Sequence, residues 1–340
     1  MNYILRDENA LYYECGYSSD NAVFLSLGSE KWFITDSRYT IEAKESVKGA
    51  EVVEASDLTA ALRRLIRQGG GTRIFFDPKE WSEFELNRLR SRLPSVRFKP
   101  KADLSHRKRI VKSPEEIELL KRAAELGREG FDRFAEYLNL SGLDRREKRL
   151  HFEAKGAMSD YGEYDLSFDP IVAIGANAAK PHALPTDVVL KGGDLLLVDA
   201  GIKYRRYCSD RTRTIFVKEG MAFKEEQSFA SSKIQKAYDL VRKAHDRAIE
   251  SARAGMTGAQ IDRLAREVIE NGGMGEYFVH STGHGVGLDI HEMPYISARS
   301  DTVVEDGMVF TIEPGIYVPG EFGIRIEDMV VILDGRAEIL

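Results

Sequence analysis

Two apolar runs that end on acids constrain this chain more than any other feature. Leu195-Leu196-Leu197-Val198 ends on Asp199, and Met308-Val309-Phe310-Thr311-Ile312 ends on Glu313. Apolar runs of this length read as buried strands, and a buried carboxylate needs a partner or a metal. Each of these acids has a second acid in mirror position. Asp199 and Asp210 lie at the ends of a segment whose midpoint is Tyr204-Arg205, and Glu313 and Glu327 lie symmetrically about Gly320 in Pro319-Gly320-Glu321, which is turn chemistry. If each segment is a hairpin turning at its midpoint, each pair consists of direct cross-strand partners on one face, their Cβ atoms about 5 Å apart. Like charges directly opposite are destabilising. Acids beside a single turn are usually solvated. Two such pairs on buried strands, with no lysine close in sequence to neutralise all four, ask for a cation.

The rest of the composition narrows the class. The chain has 340 residues, enough for two domains of ordinary size. Its 43% hydrophobic and 31% charged content describe a soluble globular protein. A net charge of −6 argues against a nucleic-acid or membrane partner, which would want a basic face. No apolar run approaches the roughly 18 residues of a transmembrane helix. The N-terminus shows no basic region followed by an apolar stretch, so no signal peptide is expected. Cys15 and Cys208 are the only cysteines and make no disulfide framework. A reducing cytoplasm is the expected setting, with Cys208 a buried inert thiol.

Residues 1 to about 104 mix short strands and helices, which suggests a small α/β domain. Residues 22–27 and 31–35 read as a hairpin across Gly28-Ser29. Helices are expected near 39–47, 57–67 and 79–93, with strands at Val52-Val53 and 73–76. Gly69-Gly70-Gly71 lacks a following Lys-Ser/Thr, so it is a loop with no nucleotide role. Ser105-His106-Arg107-Lys108-Arg109 reads as a basic, weakly structured boundary, which gives domains 1–107 and 108–340. Ser113-Pro114-Glu115-Glu116 then opens a helix with a capping box and proline at its first position. Its apolar residues Ile117, Leu120, Ala124, Gly127, Phe131, Phe134 and Leu138 keep helical spacing. A second helix is expected from Asp144, with Glu147 as capping-box partner. An acid-bearing hairpin over 194–217 follows. The order then repeats: a helix over about 225–253, a helix after Thr257 ending at Asn271-Gly272-Gly273, and an acid-bearing hairpin over 307–333. Two such halves related by a pseudo-twofold would bring four carboxylates to one point.

Three of the seven histidines, His280, His284 and His291, lie in the segment 280–294. Glycines at 283, 285 and 287 would let the backbone approach a site closely. His284 is the best candidate for an imidazole ligand, with His280 and His291 flanking it. His182, in Pro181-His182-Ala183-Leu184-Pro185, is a more isolated candidate. The glycine spacing is not a dinucleotide fingerprint.

In order and type, Asp199, Asp210, His284, Glu313 and Glu327 resemble the five ligands of the pita-bread metallopeptidases. The segments 280–294, Ser209-Asp210-Arg211-Thr212-Arg213-Thr214, Ile312-Glu313-Pro314-Gly315 and 323–327 are similar to those of the proline-specific branch, aminopeptidase P and prolidase. Residues 33–39 resemble the small creatinase-like domain that precedes the catalytic domain in those enzymes. The resemblance spans essentially the whole chain. One departure is Arg211, where many relatives are apolar. The implied fold is α+β: a pita-bread catalytic domain preceded by a smaller α/β creatinase-like domain.

The resemblance implies two divalent metal ions, with Asp199 and Asp210 on one, His284 on the other, and Asp210, Glu313 and Glu327 shared or bridging. Carboxylate-rich ligation with one imidazole suits Mn²⁺ first, with Co²⁺, Zn²⁺ or Fe²⁺ admitted. Such a pair of ions acidifies a water into a nucleophile. Glu313 would carry its proton. His291, and with it His182, would stabilise the oxyanion, His280 would sit beside them, and Arg325, by strand parity with Glu327, would point into the site and orient Asp199 or bind a substrate carboxylate. The implied partners are proline-containing peptides and a second copy of the chain in a homodimer. Activity on Xaa-Pro at peptide N-termini ranks first and a dipeptide-only prolidase second. A methionine aminopeptidase is disfavoured by the N-terminal domain. A metal-free binding or amidinohydrolase protein is disfavoured by the intact ligand set.

Overall fold

A computed structural model describes all residues, 1–340. The chain divides into two compact units, Met1–Arg109 and Ile110–Leu340. No helix is long and apolar enough to cross a membrane.

The first unit is built on a six-stranded mixed sheet. Its order is Glu51–Glu54, Glu30–Thr35, Ala22–Leu27, Tyr3–Leu5, Arg73–Phe76, Arg97–Pro100. Ala22–Leu27 and Glu30–Thr35 form the expected hairpin, turning through Gly28 at φ +62°. Alternation along the strands supplies two apolar faces. Ile4, Val23, Leu25 and Ile34 pack under the helices Leu58–Gln68 and Glu83–Arg90, while Tyr3, Leu5, Phe24 and Phe33 pack against Glu8–Cys15. The basic stretch expected to be weakly structured is instead the helix Leu104–Arg109. Leu104 and Arg109 are buried, the Leu104 amide donates to Asp77 Oδ2, and Arg109 Nη1 donates to Ser105 Oγ. Its sequence is polar, so hydrophobic periodicity could not show it.

The second unit runs helix, helix, strands, and then repeats that order. Pro114–Tyr137 carries the expected Ser113/Glu116 capping box. With Glu147–Met158 it packs on one face of the strand Leu195–Ala200, through Leu196 and Val198. Ser232–Ser251 and Gly258–Asn271 pack on the other side, against Leu195, Leu197, Phe310, Ile312 and Ile324. Asp199 has the parity of Leu195 and Leu197, so it leaves the strand on that second face.

Two helix starts differ from expectation. The helix expected from Asp144 begins at Glu147; Arg146 precedes it with no side-chain cap, and Asp144 sits at φ +63°. The Glu147 carboxylate accepts bonds elsewhere, from Ile174, Asn177 and Thr186. The helix expected from about residue 225 starts only at Ser232, where Ser231 caps the Ile234 amide.

Candidate metal centre

The first acid-bearing hairpin turns one residue later than its symmetry suggests. Arg205 and Arg206, both at positive φ, form the turn, as two-residue hairpin loops require. Asp199 therefore pairs directly with Thr212, and Ala200 with Arg211. Moving the midpoint by one residue moves each partner by two, which preserves the face. Asp210 becomes a diagonal neighbour of Asp199 on the same face. Thr212, unexpected from the sequence, stands opposite Asp199.

The second hairpin keeps the expected centre. Gly320 turns at φ +74°, Gly315 pairs with Arg325, and Ile312 pairs with Asp328. Glu313 and Glu327 fall opposite each other in the gap between these two ladders, where Pro314 cannot donate to a strand. There the Glu313 amide donates to the Thr282 carbonyl (2.8 Å) and the Glu327 amide to the Thr212 carbonyl (3.1 Å), while the register continues on both sides.

His284 arrives on the strand Gly283–Gly285, sandwiched between Glu292–Ile296 and Val309–Ile312. The glycines serve this packing rather than an approach to a ligand. A Cβ on Gly283 would overlap the Thr311 carbonyl, and one on Gly285 the Met293 carbonyl. Asp262, on the helix Gly258–Asn271, fixes the run into the strand by accepting from the Thr282 amide (3.1 Å) and hydroxyl (2.8 Å). A fully buried pair, Lys112 with Glu292 at 2.5 Å, fixes the run out of it.

Together these elements close a cavity of about 500 Å³ whose wall includes Asp199, Asp210, His284, Glu313 and Glu327, and also His182, His280, His291 and Arg325. All nine candidates from the sequence thus line one space. Oxygen and nitrogen atoms of Asp210, His284 and Glu327 lie within 4.8 Å of one another. His284 Nε2 is 3.3 Å from Glu313 Oε1 and 3.6 Å from Asp210 Oδ2. His284 Nδ1 faces the Gly285 carbonyl at 3.2 Å. A carbonyl only accepts, so Nδ1 carries the hydrogen and Nε2 presents a lone pair to the carboxylates. When the carboxyls are ionised, acceptors thus face acceptors.

Electrostatics state the same conflict. Burial, with the charges of Glu327, Asp199 and Glu313 added, pushes Asp210 well above the carboxylate range. Burial raises Glu327 likewise, helped by Glu313 and Asp199. Burial pushes Glu313 up to about 8, against the pull of Arg325. His284 is driven down to about 3 by burial and then by His291, so it is neutral. Asp199 Oδ1 is buried with no hydrogen-bond partner, although Oδ2 accepts from Arg325 Nη2 at 2.6 Å. An orphaned buried oxygen, a lone pair and three mutually repelling carboxyls are what a divalent cation with hard and borderline ligands would satisfy. The donor set fits a metal.

A second layer holds these groups. Thr212 Oγ1 donates to Glu327 Oε2 (2.6 Å) and accepts from Arg325 Nε (2.9 Å). Thr311 Oγ1 donates to Glu313 (3.2 Å) and accepts from the His284 amide (3.1 Å). Arg325 Nη1 donates to the Tyr317 hydroxyl (2.7 Å), which lies 2.9 Å from His280 Nε2. His280 Nδ1 faces the Ser281 carbonyl, so the tyrosine is the donor to Nε2. Burial, then Arg325, lowers His280 to about 4. His291 stacks edge-on to His284, centroids 4.3 Å apart. Thr212, Thr311 and Tyr317 were not among the sequence candidates. Each has the strand parity of a candidate acid, Asp210 or Glu313, and that signal could have found them.

Residues 118–334 match the model of metallopeptidase family M24, and residues 2–111 match that of the creatinase/prolidase N-terminal domain. The chain belongs to metallopeptidase family M24. Across 323 residues this M24 peptidase is 34% identical to the uncharacterized peptidase YqhT of Bacillus subtilis, covering 95% of this chain and 88% of that one. It is similar to an Xaa-Pro dipeptidase from Bacillus anthracis (TM-score 0.91, 33% identity, 99% of this chain and 92% of the other). It is also similar to an X-Pro aminopeptidase from Thermotoga maritima (TM-score 0.88, 33% identity, 99% and 94%). The M24 peptidase thus has the α+β catalytic domain and the creatinase-type N-terminal domain that its sequence resembles.

Proposed function

We propose that this peptidase hydrolyses the bond between an N-terminal residue and a following proline. Asp199, Asp210, His284, Glu313 and Glu327 would hold two divalent ions, Mn²⁺ first. The observation that carries this reading is the buried set of acceptors turned on one another, His284 Nε2, Asp210, Glu313 and Glu327, beside the orphaned Asp199 Oδ1. When bound, the ions supply Lewis acidity and make water a competent nucleophile at neutral pH.

The chain's own residues do the rest. Glu313 takes a proton from the attacking water and returns it to the departing nitrogen. A proline imide nitrogen has no hydrogen of its own, so this return completes the break. His291 and His182, on the cavity wall, donate to the oxyanion. Arg325, donating from Nη2 to Asp199 Oδ2, holds that carboxylate in place.

Substrate length follows from the wall. Arg325 is the only lysine or arginine lining this cavity, and its nitrogens are engaged by Asp199, Thr212 and Tyr317. The wall offers no free guanidinium or ammonium to clamp a dipeptide's carboxylate, which favours Xaa-Pro-Yaa peptides. The relatives called Xaa-Pro dipeptidases favour the second reading, a prolidase. With Mn²⁺ present, kcat/KM for Xaa-Pro-Yaa should exceed that for Xaa-Pro, since the ratio reports differential transition-state binding. Cleavage of the dipeptide alone would invert the ranking, and cleavage only after methionine would reject both. The reading also carries a homodimer, checked by sedimentation, and a reducing cytoplasm. Both cysteines are free and buried, which suits that setting.

A further inference from the structure

Glu147 opens the helix Glu147–Met158, yet its side chain is turned away from any capping role. It is wholly buried. Oε1 accepts from the Ile174 amide at 2.6 Å. Oε2 accepts from Asn177 Nδ2 (2.9 Å), the Thr186 amide (2.5 Å) and the Thr186 hydroxyl (2.6 Å). All four donors are neutral. A carboxylate taken out of water is tolerated only when its oxygens are well supplied with donors.

Those donors come from both ends of one loop. Ile174 and Asn177 stand at its start and Thr186 at its end. Between them Pro181, His182, Ala183, Leu184 and Pro185 form one wall of the cavity. Asn177 doubles the tie, since Nδ2 also donates to the Leu184 carbonyl (3.0 Å) and Oδ1 accepts from Lys180 Nζ (3.0 Å). The backbone adds two more links at the far end, Glu147 N to Val188 O (2.8 Å) and Lys148 N to Thr186 O (3.1 Å).

We propose that Glu147 is a positioning residue for His182: one carboxylate fixes both ends of the 174–186 loop and thereby places the imidazole in the cavity wall. The proposal rests on His182 facing the substrate. The requirement is for a carboxylate in particular. Glutamine would have to turn its NH₂ toward groups that are themselves donors, and aspartate, one methylene shorter, could not reach both ends.

The test uses Glu147→Gln and Thr186→Val, the second removing one hydroxyl donor while keeping the backbone amide. Each is assayed with Mn²⁺ on an Xaa-Pro-Yaa peptide, alone and combined with His182→Ala. Histidine-ring NMR signals are followed in parallel, with His182 assigned by its loss in His182→Ala. Glu147→Gln should lower kcat/KM by about tenfold, chiefly in kcat, as misplacement from a remote residue does. In the His182→Ala background the same change should cost less than about twofold, because residues acting through one another are not additive. The His182 signals should shift in Thr186→Val while those of His245, on the helix Ser232–Ser251, stay in place. Equal losses in both backgrounds, or His182 signals unmoved in both variants, would overturn the proposal. If Glu147→Gln does not fold, Thr186→Val decides. If the wild-type protein cleaves no Xaa-Pro peptide, the substrate reading fails, and the NMR arm alone decides the role of Glu147.

Discussion

Asp199 and Arg325 meet across the centre of the catalytic unit. Arg325 Nη2 donates to Asp199 Oδ2 at 2.6 Å, and both side chains are nearly sealed from solvent. Three different nitrogens of Arg325 serve three different acceptors, on Asp199, Thr212 and Tyr317. A lysine, whose donors all radiate from one nitrogen, could not match that planar fork.

Arg325→Met leaves Asp199 buried and unpaired. Breaking a buried pair from one side costs about 3–5 kcal/mol. The expected outcome is a lower melting temperature together with a large loss of kcat/KM, with Arg325→Lys recovering little of either. Full activity in Arg325→Lys would show that the fork is dispensable.

Glu313→Gln keeps the size of the side chain and removes its charge and its proton-carrying capacity. Turnover should fall by more than about 10²-fold, the scale of general acid–base catalysis. The measurement is made at saturating Mn²⁺ with metal content checked alongside. Near-normal turnover in metal-loaded Glu313→Gln would refute the assignment.

Metal content is itself a prediction. After dialysis against Mn²⁺, elemental analysis should find roughly two ions per chain, as in two-metal hydrolases. A folded protein that holds no metal at any concentration would remove the basis for the proposed chemistry.

Metal removal should make stability depend on pH, with a definite sign. In the metal-free chain Glu313 is pushed up to about 8, and Asp210 and Glu327 are raised by burial and mutual repulsion. Raised folded pKa values mean that the folded state binds more protons than the unfolded state. Stability is then fullest below the ordinary carboxylate range and is lost as pH rises toward about 8. Metal-free protein should therefore melt at steadily lower temperature from pH about 5 to about 8, and its gap from metal-loaded protein should widen. A metal-free melting temperature that stays flat over that interval would contradict it.

Much of the centre was legible because strand parity survives an error of register. The turn at Arg205-Arg206 displaced every pairing in the first hairpin, yet Asp199 and Asp210 kept one face. Glu313 and Glu327 kept both face and register because Gly320 marks its turn unambiguously. What stayed hidden depends on contacts remote in sequence. Glu147 fits a local capping pattern, and only the return of Thr186 to its side shows where its oxygens go. Tyr317 reads as an ordinary strand tyrosine until Arg325 and His280 are brought to its hydroxyl. Residues 104–109 form a helix because Asp77 receives the Leu104 amide and Arg109 is buried, neither of which a polar pentapeptide announces.

The two acid-bearing hairpins are separated by roughly a hundred residues of chain, a loop whose closure entropy grows only logarithmically with its length. An ion gripped by Asp210 from one hairpin, by Glu327 from the other and by His284 from the strand Gly283–Gly285 would act as a removable cross-link between them. Such a link forms after the strands have found each other, and it must be broken before they part. It would slow unraveling far more than it hastens assembly. Whoever controls the supply of metal would thereby set the lifetime of the folded enzyme as well as its activity.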